Sequence, residues 1–332
     1  MIAKMKRRDF VALLGGAAAA WPLAARAQQP AMPLVALVSP RSPEDSARLG
    51  AGFRKALSET GYIEGQNVMV EYHWLEGQYD RLPALMADLV RRRVAVIAMP
   101  AFTAAAPVAK AATTTIPIVF GVAEDPVKLG LVASFARPGG NATGINFLAS
   151  EVMAKRLGLL HDLVPKAVRI AVLINPANAP TAETTLRETS EAAHGLGLQI
   201  QILNASTSRE IEAAFATLVR ERPDALFIAP DGFFTSRRVQ FATLAAHHRV
   251  PAAYFSREFV EVGGLMSYGS DISDVYRQVG VYTGQILKGA KPADLPVVQS
   301  TKFEFVINMQ TAKALGLEVP PQLLASVDEA IE

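Results

Sequence analysis

The chain has 332 residues, half of them hydrophobic, with 33 basic and 31 acidic side chains and no cysteine. That length and apolar content allow one large core or a split into two. The near-balanced charge lacks the basic footprint of a nucleic-acid binder, and the missing cysteine excludes disulfides, thiolate zinc sites, cysteine nucleophiles and a lipid-modified cysteine anchor.

Residues 1–27 read as an export signal. Lys4, Lys6, Arg7 and Arg8 form a positive start, Val11 to Ala20 a short apolar run, and Ala25-Arg26-Ala27 a small-x-small cleavage site. The run is shorter than the roughly 20 apolar residues a membrane span needs. Arg7-Arg8 followed by Asp9-Phe10 resembles the twin-arginine signal; ordinary secretion uses the same charged and apolar layout and stays open. The signal carries five of the basic residues and one of the acidic ones, so the remaining 305 residues have a net charge of −2. Residues 28–32 read as a tether, and the expected product is a soluble periplasmic protein.

Pro33 to Pro40 is a short continuous apolar stretch, as a buried parallel strand requires. Residues 44–60 place Leu49, Phe53, Ala56 and Leu57 on one helical face and stop at Gly61. Strand-like Val68 to Tyr72, a helix over Arg81 to Arg92, strand-like Val94 to Met99, a helix over Thr103 to Ala112 and strand-like Ile116 to Phe120 follow.

The same order then starts again. Arg169 to Ile174, Leu198 to Leu203, Ala225 to Ala229 and Val250 to Phe255 read as strands, with helices over 182–194, ending at Gly195, over 208–220 and after Ala229. Val35 and Ile170, Gly61 and Gly195, Val96 and Phe227, Pro117 and Pro251 stand roughly 130–135 residues apart, too far for a solenoid repeat. The alternation predicts an α/β protein of two doubly wound parallel-sheet lobes. A helix over 274–288 left over from the second half completes the first lobe if the chain returns there. Residues 33–146 plus 271–297 then form lobe 1, residues 147–270 plus 298–332 lobe 2, and three segments make the hinge.

Several phrases carry a resemblance over nearly the whole chain: EGQYDRLPALMADLVRRRVAVI, TTTIPIVFGVAEDPVKLGLVASFARPGGNATG, and GGLMSYGSDISDVYRQVGVYTGQILKGAKPADLPV followed by TKFEFVINMQTAKALGL. With the layout and the signal, they resemble the ABC transporter substrate-binding family, of the type I periplasmic binding protein fold, that includes tryptophan- and tyrosine-binding members. The resemblance implies a cleft that shuts on a small solute, an amino acid or another carboxylate with an apolar or aromatic part by preference. It also implies delivery to an ABC permease and its ATPase in the inner membrane, a monomer, and no cofactor.

Ligands of open α/β sheets bind beyond the carboxyl ends of the strands. Those ends offer Ser39 and Arg41, Trp74, Phe102 and Thr103, and Glu124 and Asp125 in the first half; Asn175 and Asn178, Asp231, Phe233 and Phe234, and Tyr254 to Glu258, including Ser256, in the second; and Asn146, Tyr268 and Asp271 at the hinge. Thr103 either caps its helix or, with the helix's free N–H groups, receives a carboxylate. Asp125, Asp231 and Asn175 either shape turns or touch ligand, Asp231 or Asp271 facing an ammonium. The aromatic residues either finish the core or form a stacking platform.

An enzyme is not expected. The five histidines form no H-E-x-x-H, and there is no G-x-S-x-G or phosphate-binding G-x-x-x-x-G-K-[ST]. A two-lobed repressor would need a DNA-binding helix pair where the export signal stands. A ligand sensor for a membrane receptor needs the same cleft as a transport protein and remains the alternative.

Overall fold

A computed structural model describes residues 32–147 and 149–332; the export signal and all of the tether but Met32 lie outside the described residues. The first sheet has the order β2-β1-β3-β4-β5-β11. Its strands are β1 (Leu34–Ser39), β2 (Met69–Trp74), β3 (Val96–Met99), β4 (Ile118–Val122), β5 (Ala142–Asn146) and β11 (Val298–Gln299), all parallel. The second has the order β13-β12-β10-β9-β8-β6-β7. It contains β6 (Arg169–Ile174), β7 (Gln199–Asn204), β8 (Ala225–Ile228), β9 (Ala252–Tyr254), β10 (Met266–Ser270), β12 (Phe303–Asn308) and β13 (Glu329–Ile331). Here β12 runs antiparallel to β10 and the other pairs are parallel. Strands β2-β1-β3-β4-β5 and β7-β6-β8-β9-β10 follow one winding rule, so the repeat in the sequence is a repeat in topology.

Period-2 alternation explains the layers. In β1, Val35 and Leu37 face helices α1 (Pro43–Glu59) and α10 (Ile272–Leu287), meeting Leu49, Phe53, Leu57, Val275, Tyr276 and Val279. Ala36 and Val38 face the other way, onto Leu82, Met86 and Leu89 of α2 (Leu82–Arg91) and the alanines of α3 (Ala105–Ala112). A strand apolar on both faces is what a parallel sheet between two helical layers demands. The second sheet repeats this: Ile170, Val172 and Phe227 pack with α4 (Ala149–Leu163), and Ala171, Leu173, Leu226 and Ile228 pack with α6 (Ser208–Glu221) and the helices that follow β8.

Helix α1 starts where Ser42 Oγ accepts the Asp45 N–H, with Pro43 in the first turn and Glu44 and Asp45 at the positive dipole end. It ends at Thr60, and Gly61, at φ 95°, turns the chain out. Helix α5 (Ala179–Leu196) is longer than the 182–194 expected. Pro180 fits its first turn, Gly195 is absorbed, and Gly197 takes the left-handed cap at φ 69°.

The chain passes from the first sheet to the second after β5, returns after β10, and leaves again between β11 and β12. Strand β11 is hydrogen-bonded to β5, Val298 opposite Ile145, so the third passage lies at residues 300–302, after Val298 rather than before it. Asp271 starts the returning helix by accepting the Asp274 N–H. No described helix is long and apolar enough to cross a membrane.

Candidate functional site

The carboxyl ends of both sheets' parallel strands face one cleft, which is shut along one rim. Arg41, two residues past β1, donates from one Nη to both carboxylate oxygens of Glu258, at 2.9 and 3.0 Å. Burial, the largest single influence, lowers the Arg41 pKa; Glu258, Tyr276 and Asp45 together outweigh it and hold the guanidinium above its usual value. The Tyr79 hydroxyl donates to Asp231 at 2.8 Å, and Arg238 pairs with Asp45. Each contact joins a residue of the first half to one of the second.

Behind this rim lies a cavity with about 500 Å³ of empty space, its mouth included, lined from the first half by Tyr79, Phe102 and Thr103 among others and from the second by Asn178, Thr181, Asp231, Thr235 and Phe255. A hinge-side chamber with about 340 Å³ of empty space, its opening included, adjoins it. The two share Ala123, Phe147, Pro230, Phe255 and Ile272 as walls, and Val152, Met153 and Arg156 of α4 close the inner end.

Asp231 follows β8 and caps α7 (Gly232–Ser236). Its Oδ1 accepts from Asn175 and from the Phe233 and Phe234 N–H groups, and its Oδ2 from Asn178 and Tyr79. Five donors fill the carboxylate's lone pairs, leaving no room for a ligand's ammonium. Desolvation still pushes its pKa up, partly countered by Asn175, Asn178 and Tyr79. Asp231 is thus a latch that ties the first half to the second.

Two other buried groups are not satisfied in this way. Glu124, just beyond β4 and 7% exposed, has both carboxylate oxygens without a hydrogen-bond partner among the described residues. Desolvation raises its pKa, with the nearby Thr103 and Thr181 hydroxyls acting the other way. Its backbone carbonyl accepts from Asn146 Nδ2 at 2.8 Å. Asn178, at the start of α5, likewise leaves its side-chain oxygen unpaired. Unpaired buried acceptors cost about 1–3 kcal/mol each, more when charged.

Arg156 is fully buried. Its guanidinium lies 4.2 Å from the centre of the Phe227 ring and reaches the Tyr268 and Ile228 carbonyls only at 3.5 and 3.4 Å, with Nε unpartnered. Desolvation pushes its pKa down to about 9, so it is still a cation at neutral pH.

The other sequence candidates fall into distinct places. Phe102, Thr103 and Asp231 line the cavity. Thr103 does not start α3; its oxygen accepts the Ala123 N–H at 3.0 Å, and α3 begins at Ala105 without a side-chain cap. The structure therefore puts no capped helix start at Thr103. Asn146 and Asn175 stand one layer back, holding the loops after β4 and β8. Ser256 caps α9 (Arg257–Val260) and lies with Asp271 in a separate groove of about 360 Å³. Asp125 bonds the Val127 N–H and shapes its turn.

Ser39 lies beneath the site, bonded to Tyr276. Trp74 stacks on Tyr72, away from the cavity wall. Phe233 packs in the core against Phe234, Tyr254 is wholly buried on Phe259, and Tyr268 is backed by Phe303 and Phe305. For these aromatics the core-finishing reading matches their positions; the rings that do reach the cavity are Tyr79, Phe102, Phe147 and Phe255. Sequence reasoning missed Arg156, although a signal was there. Val152, Met153, Leu157 and Leu160 form the buried stripe of α4, and Arg156 falls inside it.

A family model described as ABC transporter substrate binding protein matches residues 36–331. The chain belongs to the ABC transporter substrate-binding protein family. The family is one of binding proteins rather than enzymes. A tyrosine-binding protein of Clostridioides difficile (strain R20291) is 28% identical to this family member over 267 residues, spanning 80% of this chain and 76% of the relative. An ABC domain from Streptococcus pneumoniae in complex with L-Trp superposes with a TM-score of 0.80 at 25% identity, over 90% of this chain and 99% of that one. A ligand-free, open substrate-binding protein from Clostridium difficile covers the same shares at 24% identity, with a TM-score of 0.62.

Proposed function

We propose that this protein is the exported solute-binding component of an ABC importer, and that it takes an amino acid with an aromatic or apolar side chain by lobe closure. The observation that carries this reading is a shut, largely apolar cavity between the halves, with the Asn178 side-chain oxygen left unpaired at its wall and the unpaired Glu124 carboxylate on the residue that follows the wall residue Ala123. An ammonium group supplies the donors they lack. The tyrosine- and L-Trp-binding relatives support the same class of solute.

The magnitudes are sufficient. An aromatic ring enclosed between the lobes buries roughly 150–250 Å², on the order of 4–6 kcal/mol at about 25 cal/mol per Å². Micromolar binding needs about 8 kcal/mol, and a charged hydrogen bond contributes about 1.5–3 kcal/mol. The solute touches both halves, so its affinity is greater for the shut form, and only such a difference drives closure. The shut form is then what the permease receives, outside the cytoplasm, where the export signal directs the chain. Isothermal titration of the mature protein against the twenty amino acids and a set of aromatic acids tests the reading. Micromolar binding of an aromatic or large apolar amino acid is expected; heat with none of the amino acids overturns it.

A further inference from the structure

We propose that the hinge-side chamber is an anion subsite in which Arg156 holds a carboxylate of the ligand. The proposal deepens the amino-acid reading above and rests on it for the choice of first probes.

The guanidinium has no exposed surface and no acidic partner among the described residues. Arg41, the other arginine buried near the site, shows the contrast: it is neutralised by Glu258. Around Arg156 the protein offers one ring face and two carbonyl oxygens at long range, with Nε unpaired. The other chamber walls are mostly apolar, including Val152, Met153 and Phe147, and open into the cavity where the solute is expected. A cation kept dry and uncompensated by any described residue is suited to an anion from outside the chain. The planar fork of arginine donors matches a carboxylate. Phe227 holds one face of the guanidinium, which fixes its plane. The ligand class this implies is a free acid; an amide, an ester or the corresponding decarboxylated amine leaves the charge unanswered.

The test compares L-tryptophan, L-tryptophanamide, tryptamine and indole-3-propionate, titrated calorimetrically into the wild-type protein, Arg156→Gln and Arg156→Lys. Wild type is expected to prefer L-tryptophan over its amide by about 100-fold, the range of a charge pair removed from a dry site. In Arg156→Gln that preference collapses towards unity, and Arg156→Lys keeps part of it. A preference unchanged in Arg156→Gln overturns the proposal and makes Arg156 a structural cation, as does wild type binding amide and acid equally. Should Arg156→Gln not fold, the wild-type ratio of acid to amide decides alone. If wild type binds indole-3-propionate but no amino acid, and loses it in Arg156→Gln, the anion subsite stands and the amino-acid reading falls. If tryptamine binds as tightly as L-tryptophan, the subsite falls while the ammonium site at Glu124 stands. If none of the four binds, the same acid-to-amide comparison on the amino acid that the twenty-member titration finds decides the subsite, and no heat with any amino acid removes both readings.

Discussion

Arg41 and Glu258, 217 positions apart in the chain, meet across the cleft with one guanidinium nitrogen 2.9 and 3.0 Å from the two carboxylate oxygens. The Arg41 side chain is 5% exposed and that of Glu258 17%, so the pair is screened little by solvent. Its energy belongs to the shut form alone, because the partners sit on opposite halves.

Glu258→Gln therefore weakens solute affinity by about 10–100-fold, corresponding to about 1.5–3 kcal/mol for a charge-assisted pair. The unfolding temperature of the ligand-free protein changes little. Titration calorimetry checks the first and differential scanning calorimetry the second. A large fall in ligand-free stability with unchanged affinity shows that the pair supports the fold instead of closure.

Closure also needs two positions without side chains. A Cβ on Gly232 stands 2.4 Å from Pro40 Cγ, and one on Gly77, which has φ 81°, stands 2.8 Å from Phe233 Cβ. Gly232→Ala holds the halves apart and reduces affinity by at least about 10-fold. Small-angle scattering with saturating ligand detects the larger radius of gyration. Gly195 is the control: it lies inside α5 with nothing within 4 Å of an added Cβ. Gly195→Ala stabilises the protein by about 0.5–1 kcal/mol and leaves binding as it was.

Glu124 makes stability and binding depend on pH in opposite senses. Burial raises its folded pKa above the unfolded value, so the unfolded state gives up this proton first as pH rises. The resulting loss of stability begins near the ordinary carboxylate pKa and is complete above the raised one. Glu124→Gln is therefore more stable than wild type at pH 7, by about 1 kcal/mol or more, and the advantage vanishes at pH values below the unfolded pKa. Affinity for an amino acid falls as the pH is lowered through the raised pKa, because the proton displaces the ammonium. Melting curves and titrations from pH 4 to 8 measure both trends; a Glu124→Gln advantage constant across that range removes the ionisation argument.

The dry charge of Arg156 sets function against stability. Arg156→Met keeps an unbranched apolar stem and removes the charge, and the ligand-free protein gains about 1–4 kcal/mol, read from urea unfolding. The same variant loses the preference for acids over amides. A destabilised Arg156→Met shows that the Tyr268 and Ile228 carbonyl contacts outweigh the desolvation of the guanidinium.

The strands, the helices and their duplication are legible along the chain. Burial on both faces of a parallel sheet writes short apolar runs such as Leu34–Ser39 and Arg169–Ile174, and helix ends leave caps such as Ser42 and Gly61. These are local effects, set by residues a few positions away. The strand-end rule also brought Phe102, Thr103 and Asp231 to the cavity wall. What each polar group does there is set by packing between distant segments. Asp231 accepts from Tyr79, 152 positions away, Glu124 has no hydrogen-bond partner among the described residues, and Tyr254 turns into the core. Arg156 lies within an apolar helical stripe, and its carbonyl contacts are 72 and 112 positions distant. Whether a buried charge is paired depends on which distant segments meet it, and no local spacing records that.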